Sequence, residues 1–276
     1  MSQVRQAESR EGELVSDAIA CTCAGCGHRF EAVPEPTHLV LCADSTKAEN
    51  VNRLFAERER ADVCLGDPPY SVNYDRSHES RGGDAAVHAS YHEADLDPTD
   101  ILAFMAVVPS DTMVWTYPID RHLVALAAAY MAHGWELRKE LVWVKDTFSF
   151  WPGAKYQQKH EPIMIAARKG KPVFGDVPAN ESTVREVARP KAHNLHPTAK
   201  PIELWEPFVR FHSSEGGIVF DPFLGSGTTL LCSAMHGRRC RGLELSPNYV
   251  DVIRRRFSEW ARANGLAVGS GELHEM

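Results

Sequence analysis

Short runs of consecutive apolar residues alternate with stretches of helical periodicity along most of this chain. His38-Leu39-Val40-Leu41-Cys42 and Asp62-Val63-Cys64-Leu65-Gly66 read as strands, and the span from Glu49 to Arg58 between them reads as a helix. Further strands are predicted at 112–117, 137–145, 162–167, 217–220 and 240–244. Asp120 suits the cap of a helix ending before Gly134, and Pro201 suits the first turn of another. Ser246-Pro247 opens a last helix that runs through Arg254, Arg255 and Arg256 towards Gly265. Strand and helix in alternation imply one doubly wound α/β domain, with a mostly parallel sheet covered on both faces. Its expected span is 37–264, followed by a flexible tail at 265–276.

Three stretches break the alternation. Residues 1–36 combine a polar leader, a cysteine cluster and the extended linker Val33-Pro34-Glu35-Pro36, in which each proline pushes its predecessor away from helical conformation. Asp75 to Asp97 has few large apolar residues and reads as a loop; its histidines, His78, His88 and His92, lack metal spacing and are read as solvated. The third stretch, 169–200, contains four prolines, and its bases outnumber its acids Asp176, Glu181 and Glu186. The chain as a whole is acidic, with 30 Lys+Arg against 37 Asp+Glu and a formal charge of −7, so this stretch stands out as a local basic surface.

Composition narrows the function without choosing it. With 43% hydrophobic and 24% charged residues over 276 positions, a globular protein with a sizeable core is expected, not a fibre or a disordered chain. No run approaches the roughly 20 apolar residues of a membrane span, and the acidic, polar start does not resemble a secretion signal, so a cytoplasmic location is expected. Seven cysteines are too irregularly placed for a disulfide framework; Cys42, Cys64, Cys232 and Cys240 read as buried small hydrophobes.

Chemistry enters near the C-terminus. Gly217 to Phe220 is followed by Asp221-Pro222-Phe223-Leu224-Gly225-Ser226-Gly227-Thr228-Thr229, a buried strand, a glycine-rich turn and a helix start. Such a turn admits close approach of a ligand and aims free amides at it, although glycine turns also close α/β units that bind nothing. Nineteen residues beyond Gly225, at the end of the next strand, Glu244 stands where an acid accepts hydrogen bonds from ribose hydroxyls. A Walker A loop would need Gly-Lys-Ser/Thr, and a dinucleotide fingerprint would need glycine where Leu230 stands. Asp221, just before the turn, repels a pyrophosphate and accepts from an ammonium group. The combination favours a cationic aminoacyl nucleoside such as S-adenosylmethionine.

A second motif, Asp67-Pro68-Pro69-Tyr70, follows the strand ending at Gly66 and places a carboxylate and an aromatic ring at the carboxyl edge of the sheet, where open α/β folds bind ligands. With both motifs in view, the sequence resembles the DNA amino-methyltransferases, whose catalytic tetrapeptide is Asp/Asn/Ser-Pro-Pro-Tyr/Phe and whose cofactor loop is Asp-Pro-Phe-x-Gly-Ser-Gly-Thr. Leu41 to Ser45, Lys159-His160-Glu161-Pro162, His196-Pro197-Thr198-Ala199-Lys200-Pro201 and Glu244 to Pro247 stand in the family's order, and the resemblance covers roughly Thr37 to Ala263. The tetrapeptide precedes the cofactor loop, the β-class arrangement, and the likeness is greatest to prophage-type modification methylases. If Phe220 and Glu244 end the first two strands of a methyltransferase sheet, His38 to Cys42 supplies the third, which makes the Rossmann-like fold circularly permuted.

The resemblance implies a site. Asp44 would accept from the cofactor's adenine amino group, Glu244 would hold the ribose, and Phe223, Gly225, Ser226, Gly227 and Thr228 would surround the methionine part, with Asp221 beneath it. Thr198 and Lys200 would face its carboxylate. Asp67 and the Pro68 carbonyl would accept the hydrogens of the target amine, Tyr70 would stack on the base, and Pro69 completes the tetrapeptide. The partner implied is duplex DNA with a short recognition site, read through segment 169–195 and the 75–97 loop, with the target base flipped out. Aspartate at the first position favours adenine N6 over cytosine N4. RNA as substrate, and a DNA-binding protein of this fold without turnover, are the other readings. A homodimer is compatible with the sequence.

Cys21-x-Cys23-x2-Cys26-x-His28 looks like one knuckle of a zinc ribbon without its second half. Two readings stand: a structural zinc held by Cys21, Cys23, Cys26 and His28, or a reduced remnant of such a site.

Overall fold

The computed structural model describes residues 14–17, 38–68, 107–116, 123–149, 155–190 and 199–266. In chain order they form strands β1 (Leu14–Asp17) and β2 (His38–Cys42), helix α1 (Ala48–Asn52), strands β3 (Val63–Gly66) and β4 (Thr112–Thr116), helix α2 (Leu123–Ala132), and strands β5 (Trp135–Ser149), β6 (Gln158–Arg168) and β7 (Val184–Glu186). Helix α3 (Ile202–His212), β8 (Ile218–Asp221), α4 (Thr228–Met235), β9 (Arg239–Glu244) and α5 (Pro247–Ala263) complete the described elements. One sheet takes all nine of these strands in the order β1-β2-β9-β8-β3-β4-β6-β5-β7.

The run β2-β9-β8-β3-β4 is parallel throughout, and β6 enters antiparallel between β4 and β5. The N-terminal strand β2 thus lies beside the C-terminal β9, pairing Leu41 with Leu243 and Cys42 with Glu244. That is the neighbour expected of a circularly permuted methyltransferase sheet. Every residue of β3, β4 and β8 is buried, as central strands covered on both faces require.

Alternation along those strands feeds two faces. Cys64, Met113, Trp115 and Phe220 point to one, where Val51 of α1 and Tyr130 of α2 close over them. Val63, Leu65, Val114 and Val219 point to the other, against Leu204, Trp205, Phe208 and Val209 of α3. A third cluster joins Val40 and Cys42 of β2 to Leu230 and Leu231 of α4 and to Val250, Ile253 and Phe257 of α5. Cys42, Cys64, Cys232 and Cys240 are buried, as their apolar surroundings predict. No described helix is long and apolar enough to cross a membrane.

Differences from the sequence reading have physical causes. The leader contributes β1, which pairs antiparallel with β2 outside the expected start of the domain at 37. Helix α1 is short because the chain turns at Asn52 and Arg58 takes a left-handed φ of 69°, which no helix continues. Helix α5 ends as Gly265 predicts: at φ 70° it lets Leu266 N–H donate to the Ala261 carbonyl and its own N–H to Arg262, a Schellman closure.

The described part of the basic stretch, 169–190, is built into the domain. Its β7 extends the sheet beside β5, and Val173 and Val187 pack on the second core cluster. Phe174 N–H donates to the Thr112 hydroxyl, Arg185 pairs with Glu181 at 2.8 Å, and Arg189 N–H donates to Asp146 Oδ1 at 3.0 Å. That last bond holds the exposed Asp146 carboxyl below its ordinary pKa. Cys21, Cys23, Cys26 and His28, the 75–97 loop, Asp120, Pro69, Tyr70, residues 191–198 including Thr198, and the tail from 267 lie outside the described residues.

Candidate active site

Parallel strands place their carboxyl ends on one edge, and along it the sheet order sets out a row of acids: Asp44 just after β2, Glu244 ending β9, Asp221 ending β8 and Asp67 just after β3. The strand order reverses between β8 and β3, so Asp221 and Asp67 flank the crevice in which such sheets bind ligands. Two motifs 154 residues apart in the chain are therefore one strand apart in space.

The β8-to-α4 turn is held from inside. Phe223 N–H donates to Asp221 Oδ1 at 2.9 Å, Gly225 N–H to Glu244 Oε2 at 2.8 Å, Leu224 N–H to the Leu243 carbonyl and Gly227 N–H to the Leu224 carbonyl. These four amides are spent on the protein. What the turn offers a ligand is its shape and its acids. Gly227, at φ 81°, takes the N-cap of α4 in a conformation costly for other residues, and a Cβ there would lie 3.1 Å from Ile253. Gly242 lets the turn lie on β9, since a Cβ would come within 2.7 Å of the Leu224 side chain.

Asp221 is 3% exposed, and burial pushes its carboxyl up to about 7 despite donors from Thr229 and Phe223. The Thr229 hydroxyl donates to its Oδ2 at 2.5 Å. Trp205 Nε1, which can only donate, gives its hydrogen to the same hydroxyl oxygen at 2.9 Å, so the Thr229 hydrogen is committed to Asp221. Glu244 is likewise pushed up to about 7 by burial, against the pull of the Ser246 and Gly225 amides. Asp44 Oδ1 accepts from the Thr46 amide and hydroxyl. Three carboxylates held by amides and hydroxyls, and among the described residues in no ion pair, fit a ligand that donates hydrogen bonds and carries positive charge. They do not fit a phosphate.

The other half of the crevice is built differently. Asp67 Oδ1 accepts from the hydroxyl of Thr116, the last residue of β4, and Oδ2 accepts from Lys200 Nζ at 2.5 Å. Lys200 also reaches Glu161 Oε2 at 3.3 Å, and Glu161 Oε1 is paired with Lys145. Glu161 arrives there because β6 is antiparallel, which brings its first residues to the carboxyl edge, and Lys145 follows Trp143, the residue opposite Glu161. Burial alone would lower Lys200, but Asp67 and Glu161 hold its ammonium above the ordinary lysine range. Burial would raise Glu161, and Lys200 and Lys145 bring it below its ordinary value. Both ammonium groups also lie over the Trp143 ring, at 5.1 Å for Lys145 and 5.8 Å for Lys200.

The structure thus gathers Asp44, Asp67, Pro68, Lys200, Asp221, Phe223, Gly225, Ser226, Gly227, Thr228 and Glu244 on one edge. The Lys200 ammonium meets Asp67 and Glu161, while its carbonyl accepts from the Thr228 hydroxyl at 3.1 Å. Sequence reasoning missed Thr116, Lys145, Thr229 and Trp205, and quoted Glu161 without a role. Arg256, read only as part of the last helix, donates to the Ser226 carbonyl and hydroxyl at 2.5 and 2.8 Å and braces the turn.

A family model described as "DNA methylase" matches residues 61–255, from the start of β3 into α5. A protein of Escherichia coli (strain K12) whose name describes it as a methylase, YubD, is 29% identical over 203 residues, 73% of this chain and 84% of its own length. Among solved structures, an M1.HpyAVI-SAM complex is 23% identical with a TM-score of 0.58, covering 79% of this chain and 98% of that one. PvuII DNA methyltransferase, titled cytosine-N4-specific, is 17% identical with a TM-score of 0.58, over 79% of this chain and 85% of that one. At these identities the structural likeness establishes the fold.

Proposed function

Because the chain belongs to the N6/N4 DNA methylase family, we propose that it transfers a methyl group from S-adenosylmethionine to the N6 amino group of an adenine in duplex DNA. The observation that carries this reading is the place of Asp67. Its carboxylate stands at the carboxyl edge one strand from Asp221 and the glycine turn, with Thr116 and Lys200 fixing one oxygen each.

The acids of β2, β8 and β9 fit the cofactor: Glu244 for the ribose, Asp44 for the adenine amino group and Asp221 beneath the methionine part, with the turn from Phe223 through Gly225, Ser226 and Gly227 to Thr228 around it. When bound, the cofactor supplies an electrophilic methyl group on a sulfonium. What remains for this chain is to make an exocyclic amine nucleophilic, since its lone pair is delocalised into the base. An ionised Asp67 accepts one amino hydrogen and the Pro68 carbonyl the other, which favours sp3 character at nitrogen. The methylated nitrogen then sheds one proton to the Asp67 carboxylate, which passes it to water. This is catalysis by positioning and electrostatics. A base in a duplex must first be flipped out, at a cost of a few kcal/mol. Pro69, Tyr70 and Thr198 complete the proposed site, and segment 169–195 is proposed to take part in target recognition.

Adenine is favoured by the aspartate at the first position of the tetrapeptide. Cytosine N4 is the second reading, because the cytosine-N4-specific PvuII enzyme shares the fold at the same TM-score as M1.HpyAVI. The test is incubation of the purified protein with labelled S-adenosylmethionine and unmethylated duplex DNA, followed by nucleoside digestion and mass analysis. N6-methyldeoxyadenosine is the expected product. N4-methyldeoxycytidine would replace it by the second reading, and cofactor binding without label in any DNA base would overturn both.

A further inference from the structure

We propose that Glu161 and Lys145 are positioning residues for methyl transfer, holding Asp67 through Lys200 as the end of a half-buried quartet that is electrically balanced among the described residues. The inference rests on the reading of Asp67 given above and extends the site by two strands, to β6 and β5.

The geometry is a chain of alternating charge: Asp67 to Lys200 at 2.5 Å, Lys200 to Glu161 at 3.3 Å, and Glu161 to Lys145. Each lysine side chain is only 8% exposed, so neither ammonium relies on water. Two carboxylates and two ammonium groups sum to zero, which is what lets two buried ammonium groups share a corner of the fold with two half-buried carboxylates. The members come from the end of β3, from β5, from β6 and from the segment before α3, so the pairing is built by the sheet order and not by any local motif.

The quartet sets what Asp67 can do. A carboxylate offers about four lone-pair directions; among the described residues Thr116 takes one on Oδ1 and Lys200 one on Oδ2, so each oxygen keeps a direction in which to accept again. The adjacent ammonium keeps Asp67 an acceptor. If Lys200 had no second partner, its whole charge would fall on Asp67 and compete with the weakly polar hydrogens of a base amine. Glu161 draws the ammonium the other way, and Lys145 prevents Glu161 from drawing too much. Asp67 is thereby aimed, yet remains available to a neutral substrate group.

The test compares Glu161→Gln, Lys145→Met and the double variant with the unaltered chain, using steady-state methylation of duplex DNA, cofactor affinity by calorimetry and thermal melting. Glu161→Gln leaves two ammonium groups facing one carboxylate, and kcat is expected to fall about 10²-fold, as for a displaced reacting group. KM for DNA and cofactor affinity are expected to stay within about threefold, because the residues proposed to hold the cofactor are untouched. The double variant removes one positive and one negative charge and restores balance, so it is expected to recover about tenfold in kcat over Glu161→Gln. A merely structural role predicts losses that follow the folded fraction and grow when the second substitution is added. That result, or an unchanged kcat in Glu161→Gln, would overturn the proposal. Asp67→Ala, measured alongside, separates the two levels: if it abolishes methylation while Glu161→Gln does not affect it, only the quartet's role fails, whereas an active Asp67→Ala removes the premise.

Discussion

Thr229→Val tests the electrostatics of the cofactor half of the crevice, because it keeps the shape of the side chain and deletes one hydroxyl between two buried groups. Thr229 is 1% exposed, Trp205 2% and Asp221 3%, so water cannot replace what is lost. Two effects follow, and pH separates them. The Trp205 indole N–H loses its acceptor at 2.9 Å at every pH, which costs about 1–3 kcal/mol. The Asp221 carboxyl loses a donor at 2.5 Å that favours its charged form, which for a bond to an ionised group is worth about 1.5–3 kcal/mol. In the native state that carboxyl titrates at about 7, raised by burial from an ordinary value of 3.8. An acid whose folded pKa is raised destabilises the fold progressively as pH climbs from the unfolded value to the folded one. Removing Thr229 raises the folded pKa further and so lengthens that decline. Near pH 5.5 the carboxyl is mostly protonated in both proteins, and only the indole loss remains. Near pH 8.5 both losses act, and a total of about 3–5 kcal/mol is expected. Urea unfolding of both proteins at the two pH values measures the difference. A destabilisation that is equal at pH 5.5 and 8.5, or larger at the acidic value, would refute the assignment of the Thr229 hydrogen to Asp221.

Other outcomes follow from the same geometry. Asp67→Ala should abolish methylation while leaving cofactor affinity within about threefold, measured by calorimetry, because the residues proposed to hold the cofactor lie on β2, β8 and β9. Cofactor affinity should rise between pH 6 and 8 and binding should release protons, since Asp221 and Glu244 titrate at about 7 and a cationic ligand favours their charged forms; calorimetry in buffers of different ionisation enthalpy gives the proton count, and zero release would contradict the linkage. Gly227→Ala should destabilise the fold by about 1–2 kcal/mol through its left-handed φ and weaken cofactor binding, both readable in a thermal melt with and without cofactor.

The sheet was legible in the sequence because its central strands are continuous apolar runs, and β3, β4 and β8 lie within a residue of where those runs place them. The long hairpin of β5 and β6 was read short at both ends: at its tip the residues turn polar, and no apolar run marks Asp146-Thr147 or Gln158-Lys159-His160 as strand. Strand β1 escaped for a related reason, since it pairs with β2 by backbone bonds and four residues give no periodicity to read. Acids next to glycine or proline announced themselves, because turn chemistry is local. Thr116, Lys145 and Thr229 carry no such mark, for a single hydroxyl or ammonium at a strand or helix end acquires a role only from what the sheet order sets beside it.

That same order explains why the two halves of the crevice meet their acids with different partners. Asp44, Asp221 and Glu244 are met by amides and hydroxyls, which orient a carboxylate without cancelling its charge, and two of them are held near 7 by burial. Asp67, one strand away, is met by an ammonium that is itself shared with Glu161. A cationic ligand gains from the first arrangement, since it supplies the missing counter-charge. A neutral amine gains from the second, since a fully charged and unpaired carboxylate in the same crevice would compete for the cation. On the proposed function, placing Lys200 on Asp67 assigns the cation to the β8 and β9 side and leaves the β3 side to the base, a division of roles written in counter-ions and not in shape.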